Sequence, residues 1–258
     1  MDYFFTSDDL SPTSPGDACR SSPISRRFKS AAESDTIWER FLPSDYEQII
    51  LRSVSPVVSA TKKDLYFRLC NSPILLDGGN LSFSLEKETG KKCYMIPARE
   101  LIIIWGDTPR YWTWTSHPNS RFLEVAELRD VCWLDIKGKM GTQMLSQKTT
   151  YASYLVFKMA EKYYGLDAAK AYVRLVREVD ENEARDKAII VCLKSKGQHF
   201  GRLPKERKDG WMEIEIGEFF NDEGDAGEVE MCLIEIKDLH WKSGLIVEGM
   251  ELRPKETR

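Results

Sequence analysis

Histidine is scarce in this chain: His117, His199 and His240 are the only three among 258 residues, and none has a partner at metal-ligand spacing. HExxH, GxSxG and a helix-opening glycine loop for phosphate are all missing, so metal-hydrolase, serine-hydrolase and nucleotide chemistry have no residues to work with. Nor is there a CxxC pair. The six cysteines (Cys19, Cys70, Cys93, Cys132, Cys192, Cys232) are scattered, several in apolar surroundings such as VCWL, IIVCL and EMCLI, and read as buried free thiols in a reducing compartment. No run approaches the roughly 18 apolar residues of a membrane span, and MDYFFTSDDL lacks the basic start and apolar stretch of a secretory signal. Charge of one sign is not concentrated either, with 37 basic against 41 acidic residues and no block that would seek a phosphate backbone or an anionic membrane. The basic segment GRLPKERKDG reads as a solvated loop. These absences predict a soluble, non-enzymatic chain of the cytoplasm or nucleus, with no metal, cofactor, nucleic acid or membrane partner.

What the chain does have is divided between two halves. Residues 11–54 carry helix signals. Ser14 can cap, and Pro15 suits a first helical position because its missing N–H would have no partner there. Pro23 breaks that helix or opens a second through ISRRFKSAAES, with Ile24, Phe28 and Ala31 on one face. SDTIWERFLP offers Asp35 as cap, Ile37, Trp38 and Phe41 as anchors and Pro43 as a stop, and TKKDLYFRLC pairs Thr61 with Asp64 at cap spacing. From Leu81 the period changes to two. LSFSLEK alternates, and GWMEIEIGEF sets Trp211, Glu213 and Glu215 against Met212, Ile214 and Ile216, so the glutamates take the solvent side. Further strands are predicted in ELIIIW, VCWLDIKG, YLVFKMA, AYVRLVREV, AIIVCLK, GEVEMCLIEIK and GLIVEGMEL, with no helix-length repeat between them. The expected fold is α+β and multidomain: a small amino-terminal helical module (1–54), a helical linker (55–78) and a mainly β, jelly-roll-like sandwich (79–256).

The stretch IIIWGDTPRYWTW concentrates rings. Gly106, Asp107, Thr108 and Pro109 mark a turn, so Tyr111, Trp112 and Trp114 emerge beside a loop, and Trp112 and Trp114 share a face if YWTWT is extended. Core packing accounts for a single buried Trp, but a ring cluster beside a loop makes a rigid, weakly polar platform. A pyranose can lie on such a face by its axial C–H groups while carboxylates and amides bind its hydroxyl rim, and a protein hot spot uses the same residues.

Long stretches of the carboxy-terminal part, LIIIWGDTPRYWTW, FLEVAELRDVCWLDIKGKM, LSQKTTYASYLVFKMAEKYYGLD and DGWMEIEIGEFFNDEGDAGEVEMCLIEIKDLHWKSGLIVEGMELRP, resemble the phloem protein 2 family, which includes the Nictaba-type plant lectins. The resemblance implies a sandwich that binds N-acetylglucosamine oligomers or N-glycan cores without catalysis or metal. It assigns sugar contacts to Trp105, Trp112, Glu228 and Glu235, with Ile234 standing where the family motif has Met. Glu228 and Glu235 are seven apart, so one regular strand would point them to opposite faces. They share a site only through a bulge, or if Glu228 belongs to the preceding loop.

TSPGDACRSSPISRRFKSAAESDTIWERFLPSDYEQII is similar to the second part of an F-box, which implies docking on the Skp-type adaptor of a cullin-RING ubiquitin ligase. The adaptor-facing residues would be Pro15, Cys19, Ile24, Phe28 and Trp38. The leucine-rich first helix of that pattern is replaced by MDYFFTSDDL, and each buried Leu lost there weakens docking by about 1.5–3 kcal/mol. The combined expectation is a glycan-binding substrate receptor of a ubiquitin ligase. The alternative is a protein-interaction module on a lectin-like scaffold, with the first 54 residues a helical cap.

Overall fold

The computed structural model describes residues 14–16, 18, 33–194, 201–224, 227–236 and 239–255. They fall into two units, residues 1–78 with 82–93 and residues 79–81 with 94–258.

The first unit is built from short helices that share one aromatic core. The Ala18 N–H donates to Ser14 O at 3.1 Å, a helical bond where the sequence predicts a start at Pro15. Cys19, Ile24 and Phe28, and the helix expected around them, lie outside the described residues. Helix α1 (Asp35–Phe41) begins after Ser34, which makes no side-chain cap; Asp35, expected as the cap, instead accepts from the Lys62 N–H at 2.7 Å. Helices α2 (Tyr46–Leu51) and α3 (Lys62–Asn71) follow, and Thr61 caps α3 through the Asp64 N–H at 3.0 Å as its spacing predicts. Trp38 is fully buried, its ring 5.2 Å from that of Tyr66 and 5.1 Å from that of Phe67. Its expected place against an adaptor is therefore corrected: the indole is core of its own unit. Residues 55–78, expected as a linker, fold within this unit, and they include α3 and strand β1 (Ile74–Leu76), which pairs with β2 (Leu81–Leu85).

Period-two sequence dominates the second unit, and antiparallel strands result. The larger sheet runs β3 (Lys92–Pro97), β14 (Ser243–Pro254), β8 (Thr149–Tyr164), β12 (Met212–Asn221), β11 (Lys205–Glu206), with β6 (Val125–Leu128) on β14 and β5 (Trp112–Thr115) on β6. The smaller sheet has the order β10 (Ile189–Val191), β9 (Ala169–Leu175), β13 (Glu228–Glu235), β7 (Leu134–Gly141), β4 (Ile102–Ile103). Together they make a mainly β sandwich. Between the sheets Gly138 leaves room for Leu101, Met231 and Met250, each about 3.0–3.1 Å from where a Cβ would stand.

One element was not expected. Helix α4 (Glu181–Asp186) is six residues long, too short to show a helical period, and it covers the outer face of the smaller sheet with Ala184 against Tyr172, Cys232 and Ile234. Lys137 Nζ and Arg185 Nη2 reach Glu181 Oε1 at 2.8 and 2.7 Å, and these two cations hold the Glu181 carboxyl down at about 2. Beneath, burial pushes the Cys232 thiol up to about 12, so it is an inert thiol, as its apolar sequence predicts.

The outer face of the larger sheet differs from its alternating pattern. Glu213 and Glu215 are only partly exposed and ion-paired: Arg207 and Arg253 reach Glu213 at 2.9 and 2.8 Å, and Arg202 reaches Glu215 at 2.6 Å. Trp211 shares that side yet is fully buried, because the loop at 117–120 covers it; its Nε1 donates to Asn119 O at 3.0 Å and the His117 ring lies 5.0 Å away.

Candidate functional site

The ring-rich stretch is built around one backbone turn. Strand β4 lasts two residues; the Ile104 N–H then donates to Asp135 O at 3.1 Å, and Trp105 takes φ +57°, a left-handed conformation that a bulky side chain rarely holds. Two bonds close the turn, Gly106 N–H to Ile103 O and Thr108 N–H to Trp105 O, each at 2.9 Å. Two indoles clamp it. Trp112 Nε1 donates to Ile104 O at 3.2 Å and Trp114 Nε1 to Gly106 O at 2.9 Å, so the carbonyls on both sides of Trp105 are held. Strain of about 1–3 kcal/mol at such a residue persists only where its surroundings fix it, as these bonds do.

Exposure separates the three rings. Trp112 is 2 % exposed, paired with Leu128 across β5 and β6, while Trp105 is 42 % exposed. The expectation that Trp112 presents its face beside the loop is corrected: its partner strand and the Ile104 carbonyl draw it inside. Trp114 shares the face of Trp112, as its spacing predicts, but is covered by the Arg99 guanidinium 3.8 Å from its ring, which Glu124 holds at 2.8 Å. The accessible surface is thus Trp105 beside Tyr111, rings 5.1 Å apart and inclined at 36°.

The two glutamates do not meet. β13 is regular from Glu228, opposite Gly141, to Glu235, opposite Leu134, with no bulge between. They point to opposite faces and stand roughly 23 Å apart along the strand. Glu235 is at the Trp105 end, since β7 carries Leu134 next to the Asp135 that receives Ile104. Exposed Glu228 lies at the other end, beyond reach of that turn.

Glu235 has a structural partner that the sequence hid. It pairs with Lys242, which is 2 % exposed and also donates to Cys132 O at 3.1 Å and His240 O at 2.7 Å. Backbone bonds in both directions between Val131 and Lys242 join the same segments. The latch fixes Trp133 and Trp241, 40 % and 48 % exposed, at this end of the sandwich. Gly165 belongs to the same end: its φ is +67°, and a Cβ there would stand 2.1 Å from Trp241 O.

On the far side of Glu235 a groove of about 350 Å³ runs over β13, β9 and β10. Ile234, Lys170 and Ile190 are in register across these strands, Ala168, Ala169 and Ile236 extend the floor, and Arg185 and Asp186 of α4 form one wall. Its size is within the range of small-ligand sites. Among the described residues no group of His, Cys, Asp and Glu is arranged to hold a metal ion.

Residues 91–254 match the phloem protein 2 family. The chain is 46% identical to F-box protein PP2-B10 of Arabidopsis thaliana, over 95% of this chain and 89% of that one. The chain belongs to the phloem protein 2 family. Another relative, the putative F-box protein PP2-B12 of the same plant, is also 46% identical, over 96% of this chain and 94% of its own. Among solved structures, a family 35 carbohydrate-binding module from Clostridium thermocellum overlaps 62% of this phloem protein 2 chain and 96% of its own, at 10% identity and a TM-score of 0.35. The Podospora anserina GH26-CBM35 β-(1,4)-mannanase overlaps 64% of this chain and 28% of its own, at 8% identity and a TM-score of 0.38. Overlaps this loose transfer no residue.

Proposed function

We propose that this phloem protein 2 chain is a non-catalytic, carbohydrate-binding F-box protein that takes N-acetylglucosamine oligomers or N-glycan cores. One observation carries the reading: an exposed Trp105 ring on a left-handed turn whose neighbouring carbonyls are both clamped by buried or covered indoles. A ring held so firmly loses little freedom on binding, which favours stacking on the apolar face of a sugar. In this reading Trp105 stacks, Tyr111 flanks it, and Trp112 acts from beneath as the clamp. Glu235 acts through Lys242 by positioning the surrounding segments, and Glu228 has no part in the site.

The first unit would dock a Skp-type adaptor, making the chain a substrate receptor of a cullin-RING ligase in the cytoplasm or nucleus. Support comes from the F-box names of its relatives and from exposed Leu51, Val54 and Val58 on that unit. A glycan array probed with the full chain and with Trp105→Ala tests the sugar reading, with co-purification of the adaptor as a second arm. Selective capture by N-acetylglucosamine oligomers, lost in the variant at unchanged melting temperature, is the expected result. A blank array from folded protein overturns the sugar reading, and the absence of co-purified adaptor overturns the ligase reading.

A further inference from the structure

The groove beside Glu235 is not part of the Trp105 turn, yet it opens at the same end of the same sheet. At this end the smaller sheet presents, in order, Val191 of β10, Ala169 of β9, Glu235 of β13, Leu134 of β7 and Ile103 of β4. With strands about 4.8 Å apart, the middle of the groove on β9 and the turn that follows β4 are separated by ~14 Å. A single sugar ring does not bridge that span, whereas a short oligosaccharide does.

The lining states what the groove would take. Its floor of Ile190, Ile234, Ile236 and two alanines is apolar, and its rim carries both signs of charge. Lys170 and Asp186 make no ion pair among the described residues, Arg185 is engaged by Glu181, and Glu235 by Lys242. An anionic ligand would meet the unpaired Asp186 carboxylate, and an acyl chain would leave the rim groups without partners. A neutral polyhydroxylated ring suits both surfaces, because each hydroxyl can donate to a carboxylate and accept from an ammonium while the ring face covers the isoleucines.

We infer that the groove formed by Lys170, Asp186, Ile190 and Ile234 is a second anchoring site for a sugar unit of the same oligosaccharide chain that stacks on Trp105. This rests on the carbohydrate reading of Trp105. It makes the ligand an extended chain held at two points, so that affinity grows once the chain reaches the groove.

Calorimetric titration of the full chain with β-1,4-linked N-acetylglucosamine oligomers of one to six units tests the inference, using wild type, Ile190→Asp, Lys170→Ala and Trp105→Ala. Ile190 and Lys170 are not fully buried, so these substitutions change the groove without emptying a core position. Wild-type affinity should rise about tenfold or more between two units and the longer chains, the effect of roughly 1.4 kcal/mol of added contact. Both groove variants should bind one and two units as wild type does and lose the rise, while Trp105→Ala should be weak at every length. A rise that survives in both groove variants, or a wild-type affinity that is flat with length, overturns the second site alone. Groove variants that weaken every length and also melt earlier would make the groove structural, and overturn it too. Wild type that binds no oligomer would overturn the sugar reading of Trp105 and this inference with it.

Discussion

At one end of the sandwich Trp105, Trp133 and Trp241 stand partly exposed, and the segments that carry the last two are tied from below by a buried lysine. At the other end the turns are closed by small groups and surfaced by charge. Asn221, fully buried, donates to Thr142 O and Ser146 O at 3.4 and 3.0 Å, Thr142 Oγ1 reaches Gly224 O at 3.1 Å, and Lys148 pairs outside with Asp222 and Glu223. The second end ties a buried amide nitrogen to two backbone carbonyls and offers water a charged skin. The first end leaves large rings in solvent above the covered Lys242–Glu235 pair, and exposed rings of this kind lower solubility unless they meet a partner. Two ends made by the same strands therefore differ in surface chemistry, and Glu228 and Glu235, at opposite ends of β13, belong to different ones.

That contrast can be broken by substitution. The largest effect is expected for Trp112→Ala, which empties a core site and releases the Ile104 carbonyl: about 3–5 kcal/mol of stability, read by denaturant unfolding, with binding lost through the fold. Retained stability would put the ring outside the core. Next, Lys242→Met leaves Glu235 with its partner gone and should cost about 3 kcal/mol, accompanied by a change in the near-ultraviolet signal of the tryptophans. An unchanged spectrum would mean that the latch does not organise the aromatic end. The smallest effect belongs to the charged end. Lys148→Ala removes exposed ion pairs and should leave the unfolding midpoint nearly unchanged, with glycan affinity unaltered. A clear loss of affinity there would erase the difference between the ends.

Much of the fold is legible in the sequence. The change of period near Leu81 marks the strands of the sandwich, Thr61 and Asp64 give the cap of α3, and the turn after Ile104 stands in Gly106 to Pro109. What stayed hidden depends on long-range partners. A lone Lys in HWKSG carries no mark of burial until Val131, Cys132 and Glu235 are brought to it. Trp211 sits on the polar side of its strand, and only the distant Asn119 loop explains why it is covered. Trp112 and Trp105 look alike in the sequence, and pairing with Leu128 is what separates a core ring from a surface one. The register of β13 was half legible: spacing alone said that the two glutamates part company unless a bulge intervened, and none does.

The tie between Val131 and Lys242 also has a consequence in time. The lysine ammonium closes on a carbonyl 110 residues away in sequence, and contacts of such separation form only after a large loop has been ordered. Hairpins such as β5 with β6 need no such wait. The larger sheet waits on the same closure, since β14 pairs Gly249 with Pro97 and Ile246 with Glu127, so the aromatic end is completed in the step that joins β14 to its neighbours.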